Sequence, residues 1–259
     1  MSENGYFIAN YLITGTINLK TGLHIGDSKD SVEIGVIDNP IIKNRITGYP
    51  YIPGSSLKGK LRTLLELSDI KYKNSGDGKK GIPSNDLNVE SAKLFGISPD
   101  NKEISEKPNF PTRLIVRDSF HVEGMDEKWN NAEDIVQGAE VKYENTIDSI
   151  TSKATPRPVE RIPQSSKFDF EMVLSQYESD EIVDNFVNLF KSMFLLEDNY
   201  LGGSGSRGYG KIKFENINIE KRDDKFYKFD ENNNGQPVKF GFINKFNKED
   251  IEKLINNSQ

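Results

Sequence analysis

Cysteine is absent from the 259 residues, and histidine occurs only twice, as His24 and His121. No disulfide framework and no thiolate zinc site is open to such a chain, and two imidazoles are too few for a His-rich metal centre. There is no apolar run of membrane-span length and no signal-like start, so the expectation is a cytoplasmic protein with no membrane partner. No defensible Ser/His/Asp arrangement and no dense acidic cluster stands out, which sets aside triad chemistry and two-metal hydrolysis. Net positive charge is lacking as well: 34 Lys and Arg stand against 40 Asp and Glu, a net charge of −6. Taken globally, that argues against a nucleic-acid binder. The local distribution says otherwise. Residues 54–62 carry Lys58, Lys60 and Arg62 with no acid, and residues 151–167 carry Lys153, Arg157, Arg161 and Lys167 against Glu160 alone.

The first basic island lies in Pro53-Gly54-Ser55-Ser56-Leu57-Lys58-Gly59-Lys60-Leu61-Arg62. Leu57, Leu61, Leu64 and Leu65 recur at helical spacing, Ser55 or Ser56 is the expected cap, and Lys58 and Arg62 project together at i and i+4. A helix start carries unpaired N–H groups and a partial positive charge, which favours anions. Gly59 costs about 1 kcal/mol inside a helix, and close approach of a ligand or another chain is one reason for it. Gly54-x-x-x-x-Gly59-Lys60 spells most of a P-loop, but Leu61 stands where a magnesium-holding Ser or Thr is required. No buried strand feeds the turn, so nucleotide hydrolysis is disfavoured. The bland alternative is a capped helix with solvated lysines. Gly59 and the adjacent hydroxyls of Ser55 and Ser56 favour contact with a phosphate backbone.

Around this helix the pattern is mixed. Strands are predicted over 6–19, 114–120, 168–174 and a cleanly alternating 211–219. A strong amphipathic helix covers 182–194, a short one 86–95, and another closes the chain around Lys248–Ile255. The Lys/Gly/Asn/Asp-rich stretch 71–84 reads as a mobile insertion, and 138–172 as a long hairpin or projecting loop. The order suits an α+β domain better than a βα repeat, and no internal repeat is present. Gly203-x-Gly205-x-x-Gly208 fits a dinucleotide fingerprint only formally, since it follows a helix and precedes a strand. What remains is a flexible surface loop or a backbone surface that nucleic acid or protein can approach closely, with Arg207 for a phosphate and Tyr209 for stacking. Asp38, ending the apolar run Ile34-Gly35-Val36-Ile37, reads locally as a turn residue before Asn39-Pro40. The alternative is a lone acid facing a bound ligand. His24 is a surface residue on a strand or a polar RNA contact.

These pieces, in this order, resemble a known family. Thr21-Gly22-Leu23-His24-Ile25-Gly26, Ile34 to Pro40, Ile52 to Arg62, Leu114-Ile115-Val116-Arg117-Asp118, Glu144-Asn145-Thr146-Ile147-Asp148 and Gly202 to Gly210 look like the repeated backbone subunit of type III-A CRISPR effector (Csm) complexes, a member of the RAMP superfamily. The resemblance covers roughly residues 10–215. It implies an α+β fold: a modified RRM (ferredoxin-like) palm with inserted lid-like regions and a β-hairpin thumb. The core would be 6–70 and 110–220 of one domain spanning 1–259, with an insertion at 71–110, the thumb at 138–168 and a C-terminal extension at 221–259. It implies binding of a CRISPR guide RNA and a target RNA. It further implies head-to-tail stacking of copies, other type III-A subunits as partners, and metal-dependent cleavage of the target at regular intervals. Asp38 is then the catalytic acid, holding magnesium or manganese, and no zinc is expected. His24, Ser55, Ser56, Lys58, Gly59, Lys60, Arg62, Arg157, Arg161, Gly203 and Arg207 become the RNA-binding set. A purely structural RNA-binding subunit is the alternative.

Overall fold

The structure, a computed structural model, describes residues 6–27, 40–97, 112–147, 150–152, 154–227, 238–242 and 249. Strand β1 (Phe7–Leu19) buries Tyr11, Ile13, Ile17 and Leu19 on one face. After it come helices α1 (Gly54–Ser68), α2 (Ile70–Asn74), α3 (Gly76–Lys80) and α4 (Glu90–Phe95), short strands β2 (Leu114–Val116) and β3 (Phe120–His121), and α5 (Met125–Asn130). The hairpin β4 (Glu140–Ile147) and β5 (Ala154–Arg161) precedes β6 (Lys167–Tyr177), α6 (Ile182–Asp198), β7 (Ile212–Asp223), α7 (Asp224–Tyr227) and β8 (Val238–Phe242). One antiparallel sheet runs β2-β6-β1-β7-β8, with β3 also on β6, while β4 and β5 form a separate two-stranded ribbon.

Helices α1 and α6 cover one face of the large sheet. Leu57, Leu61, Leu64 and Leu65 from α1 meet Phe186, Leu189, Phe190, Met193 and Leu196 from α6 over Phe168, Phe170, Met172 and Leu174 of β6. Each such side chain contributes about 1.5–3 kcal/mol on leaving water. Tyr11 packs edge-on against Phe186 with ring centroids 5.1 Å apart. Burial pushes its phenol up to about 12, with help from Asp223.

Two expectations are corrected here. The alternation over 211–219 is broken: Ile212 and Phe214 are buried, then Ile217 and Ile219, one residue out of phase. The cause is a bulge. The β1–β7 register shifts between Thr14 and Thr16, and Asn216 takes a left-handed φ of 55°. Gly15 sits in the bulge, where a Cβ would lie 2.8 Å from the Phe170 ring and 2.9 Å from the Glu215 carbonyl oxygen. The stretch 71–84, expected as a loose insertion, contains α2 and α3. Asp69 caps the first by accepting from the N–H of Lys71, and Ser75 caps the second by accepting from that of Gly78. Tyr72 is buried among them and donates to the carbonyl of Ile82 at 2.9 Å. The apolar run 34–37 and the C-terminal helix expected around 248–255 fall outside the described residues, apart from helical Glu249.

Candidate nucleic-acid interface

The N-terminus of α1 is not closed as the sequence suggested. Pro53 is its N-cap, and neither Ser55 nor Ser56 caps it through a side chain. Asp118, from the β2–β3 link, accepts from the N–H of Gly54 at 2.8 Å instead. A remote carboxylate thus takes one of the four orphan donors and offsets part of the positive helix end.

The cations of α1 divide into two kinds. Lys58 turns inward and donates to the carbonyl of Leu114 at 2.9 Å, and burial, with Arg62 nearby, lowers its pKa. Arg62 is clamped between Glu66 (2.9 Å) and the carbonyl of Ser84 (2.6 Å), and Glu66 in turn accepts from Ser84 N and Ser91 Oγ. The expectation that these two project together towards a phosphate is therefore corrected: both heads hold the insertion and the sheet edge to α1. Lys60 differs. Its ammonium lies 3.9 Å from the ring centroid of Tyr200, at the start of the glycine-rich loop, and partial burial lowers its pKa. Gly59 is exposed and a Cβ there would meet nothing within 4 Å, so the fold itself gives no reason for the glycine.

Residues 201–210 lie against the segment that carries His24. The N–H of Gly203 donates to the carbonyl of His24 at 2.8 Å, and that of Gly210 to the carbonyl of Gly22 at 2.9 Å. Gly202 has a φ of 73°, and a Cβ there would fall 2.3 Å from the His24 carbonyl oxygen. Both reasons require glycine. The imidazole Nδ1 of His24 is 2.7 Å from the carbonyl of Glu160, which can only accept, so Nδ1 carries the proton.

The root of the β4–β5 hairpin closes on the same loop. Arg161 pairs with Glu140 at 2.6 Å, and Arg207 from the loop reaches Glu144 at 3.2 Å. Lys142 and Arg161 both stand over the ring of Tyr209, at 4.7 and 5.2 Å from its centroid. The Tyr209 hydroxyl is buried and faces Glu144 without closing a well-formed hydrogen bond. Burial first, then the Glu144 carboxylate, pushes this phenol up to about 12. Arg157 is exposed, across the ribbon from Glu144. The opposite ribbon face carries Val141 and Tyr143, and Ile147 lies near the tip with Ile150 beyond it; all four are exposed. His24, Lys60, Arg161, Gly203 and Arg207 are thus brought to one surface with Arg157 beside it. Tyr200 and Lys142 join them without having been singled out from the sequence.

Asp38 lies outside the described residues. The ends of its segment are well tied. Asp27 N–H donates to the carbonyl of Pro40 at 3.1 Å, and Ile42 N–H to that of Ile25 at 2.8 Å. Glu160 of β5 accepts from Ile41 N–H at 2.8 Å and from Lys43 at 2.7 Å. Residues 40–43 are therefore tied to the hairpin root. Among the described residues no group of three or more His, Asp and Glu side chains is placed to hold a metal, and no helix is long and apolar enough to cross a membrane. A cleft of about 440 Å³ on the other sheet face, lined by Thr14, Thr16, Asp118, Asp169 and Glu171, contains none of the expected site residues.

The Tyr209 hydroxyl, Arg207 and Lys142 hold the Glu144 carboxyl below its ordinary 4.5, with burial opposing them. A depressed carboxylate contributes stability above its unfolded pKa and loses it as pH falls through the folded value. Glu144→Gln therefore melts below the parent protein at pH 7, and the gap closes as pH falls below about 4.5. Melting curves from pH 3 to 8 check this; a gap that ignores pH removes Glu144 from the hairpin root.

The sequence pattern of the RAMP superfamily matches residues 16–213. The chain is 48% identical over 233 residues to a CRISPR system Cms endoribonuclease Csm3 of Methanothermobacter thermautotrophicus, covering 86% of this chain and 90% of that one. It is 41% identical over 257 residues, 97% of each chain, to a protein of the same description from Methanocaldococcus jannaschii. Among solved structures it resembles the Csm3–Csm4 subcomplex of a type III-A CRISPR-Cas interference complex, with a TM-score of 0.59, 28% identity, and coverage of 96% of this chain and 97% of that one.

Proposed function

The chain belongs to the RAMP superfamily and, within it, to the Csm3 endoribonucleases, and from that membership we propose that it is the guide-binding backbone subunit of a type III-A CRISPR interference complex and the subunit that cuts complementary target RNA. One observation supports this most directly. The open flank of α1 at Gly59 and Lys60, the glycine-rich loop and the root of a projecting hairpin meet at one surface. Cations there, beside a glycine backbone that carries no side chains to keep a strand away, suit a phosphodiester chain, and the exposed apolar side of the ribbon suits contact with bases. Glu140, Glu144 and Glu160 pair many of the basic side chains, which is how an acidic protein keeps a local basic surface ordered.

Asp38 is the cleaving residue on this proposal. RNA supplies its own nucleophile, the 2′-hydroxyl, so the protein's task is geometry and charge stabilisation. A magnesium or manganese ion held by Asp38 would neutralise charge on the scissile phosphate. Other type III-A subunits are its partners, and copies stack head to tail, an open arrangement whose length capping partners must set. The setting is the cytoplasm. The first test is simple: the chain purified under native conditions carries RNA, seen as a raised absorbance ratio and as discrete bands on a denaturing gel. Protein that is free of RNA and fails to bind added guide RNA would count against a guide-holding role.

A further inference from the structure

Tyr200 stands between the two halves of the interface. On one side its ring receives the Lys60 ammonium at 3.9 Å from the centroid. On the other the glycine-rich loop lies against it, since a Cβ on Gly205 would fall 2.0 Å from Tyr200 Cγ. The neighbouring Leu201 is buried and its N–H donates to the carbonyl of Gly210 at 2.9 Å, which fixes the base of the loop. The ring is therefore seated by the loop, and the lysine is seated by the ring. Lys60 has no carboxylate partner among the described ion pairs, in contrast to Lys43, Arg161 and Arg207. An ammonium held by a π face keeps its full charge available to a phosphate, whereas one held by a carboxylate does not.

We propose that Tyr200 is a positioning residue for guide RNA: it pins the Lys60 ammonium beside the backbone of Gly203–Gly205, so that one stretch of RNA backbone meets the cation and the loop together. This rests on the assignment of the surface to RNA. A free lysine loses several rotatable bonds on binding, and one already parked on an aromatic face loses fewer. The ring also accounts for the absence of a side chain at Gly205, which no turn requirement explains.

The test uses the full chain, stripped of RNA, with a single-stranded RNA of guide sequence titrated at several KCl concentrations. Lys60→Gln weakens binding and flattens the salt dependence by about 0.7 in the log–log slope, as loss of one phosphate contact requires. Tyr200→Leu weakens binding about tenfold with the slope unchanged, because the charge remains. Tyr200→Phe binds like the parent protein. In the Lys60→Gln background, Tyr200→Leu adds nothing further. Should Tyr200→Leu fail to fold, pentafluorophenylalanine incorporated at position 200 keeps the ring's shape but reverses its electrostatics, and it should weaken binding relative to Tyr200→Phe. Equal affinity of those two ring variants overturns the proposal, as does a Tyr200→Leu effect that persists undiminished without Lys60. Parent-like affinity and slope for Lys60→Gln would instead remove Lys60 from the RNA surface altogether, and the proposal with it.

Discussion

Asp38→Ala slows cleavage of complementary target RNA by about a thousandfold, ~4 kcal/mol in the barrier, while guide binding and assembly persist. The expected separation of the two effects follows from how the segment is anchored. Its stem is held by bonds at Asp27, Pro40, Ile41 and Ile42, and by the Glu160 carboxylate, none of which involves the Asp38 side chain. The described bonds of the hairpin root and the glycine-rich loop run between other residues, so the expectation is that they survive the substitution. The polar groups of the hairpin root are already engaged. His24 has its Nδ1 proton committed to the carbonyl of Glu160, and Lys43 is committed to the Glu160 carboxylate. Neither stands ready to replace an acid that orients the 2′-hydroxyl or stabilises charge at the phosphate. Single-turnover cleavage by the assembled complex, alongside a gel measurement of guide occupancy, reads both quantities. Cleavage at the parent rate would leave the chain a structural RNA-binding subunit with the chemistry elsewhere. Loss of assembly would make Asp38 a folding residue.

Much of the frame could be read from local pattern. The leucines of α1, the apolar face of α6 and the alternation of β1 each bury one side, and such periodicity depends only on residues a few positions apart. The hairpin was legible because Pro156 and Pro158 exclude a helix, and both tolerate an edge strand. What stayed hidden depends on distant neighbours. The bulge at Gly15 and Asn216 is a phase slip between strands about 200 residues apart in the chain; the adjacent polar pair Glu215-Asn216 between Phe214 and Ile217 marks it in the sequence, but its partner in β1 does not. Lys58 and Arg62 look like surface cations by spacing. Their carbonyl partners at Leu114 and Ser84 come from other elements, and backbone acceptors leave no charge signature. The helices in 71–84 are short and stand on single caps, a signal easily lost in a Lys- and Gly-rich composition. Asp38 is proposed on resemblance alone, since a lone acid before Asn-Pro is ordinary turn chemistry.

Arg113→Ala should cost about 3–5 kcal/mol of stability, the range for breaking a buried pair from one side. Arg113 is wholly buried at the start of β2, and its guanidinium grips Asp180 with bonds of 2.8–3.0 Å. Its Cζ lies over the ring of Tyr177, 4.4 Å from the centroid. Asp180 also accepts from the N–H of Tyr177 at 2.8 Å, and the N–H of Ser175 donates to the carbonyl of Arg113 at 2.9 Å. The pair thus ties β2 to the end of β6 and to the turn that starts α6, the helix over the core. Truncation leaves a carboxylate in a nearly dry site with one backbone donor for company. Two controls separate a lost attraction from an orphaned charge. Arg113→Lys recovers little, because an ammonium cannot reproduce the two-pronged grip on Asp180. The double substitution Arg113→Met with Asp180→Leu recovers most of the loss, since removing both charges removes the desolvation cost as well. Urea unfolding followed by circular dichroism reads this as a lower midpoint at unchanged slope. A loss below about 1 kcal/mol for Arg113→Ala would mean that water reaches Asp180 and that the sheet edge is held by its backbone ladder alone.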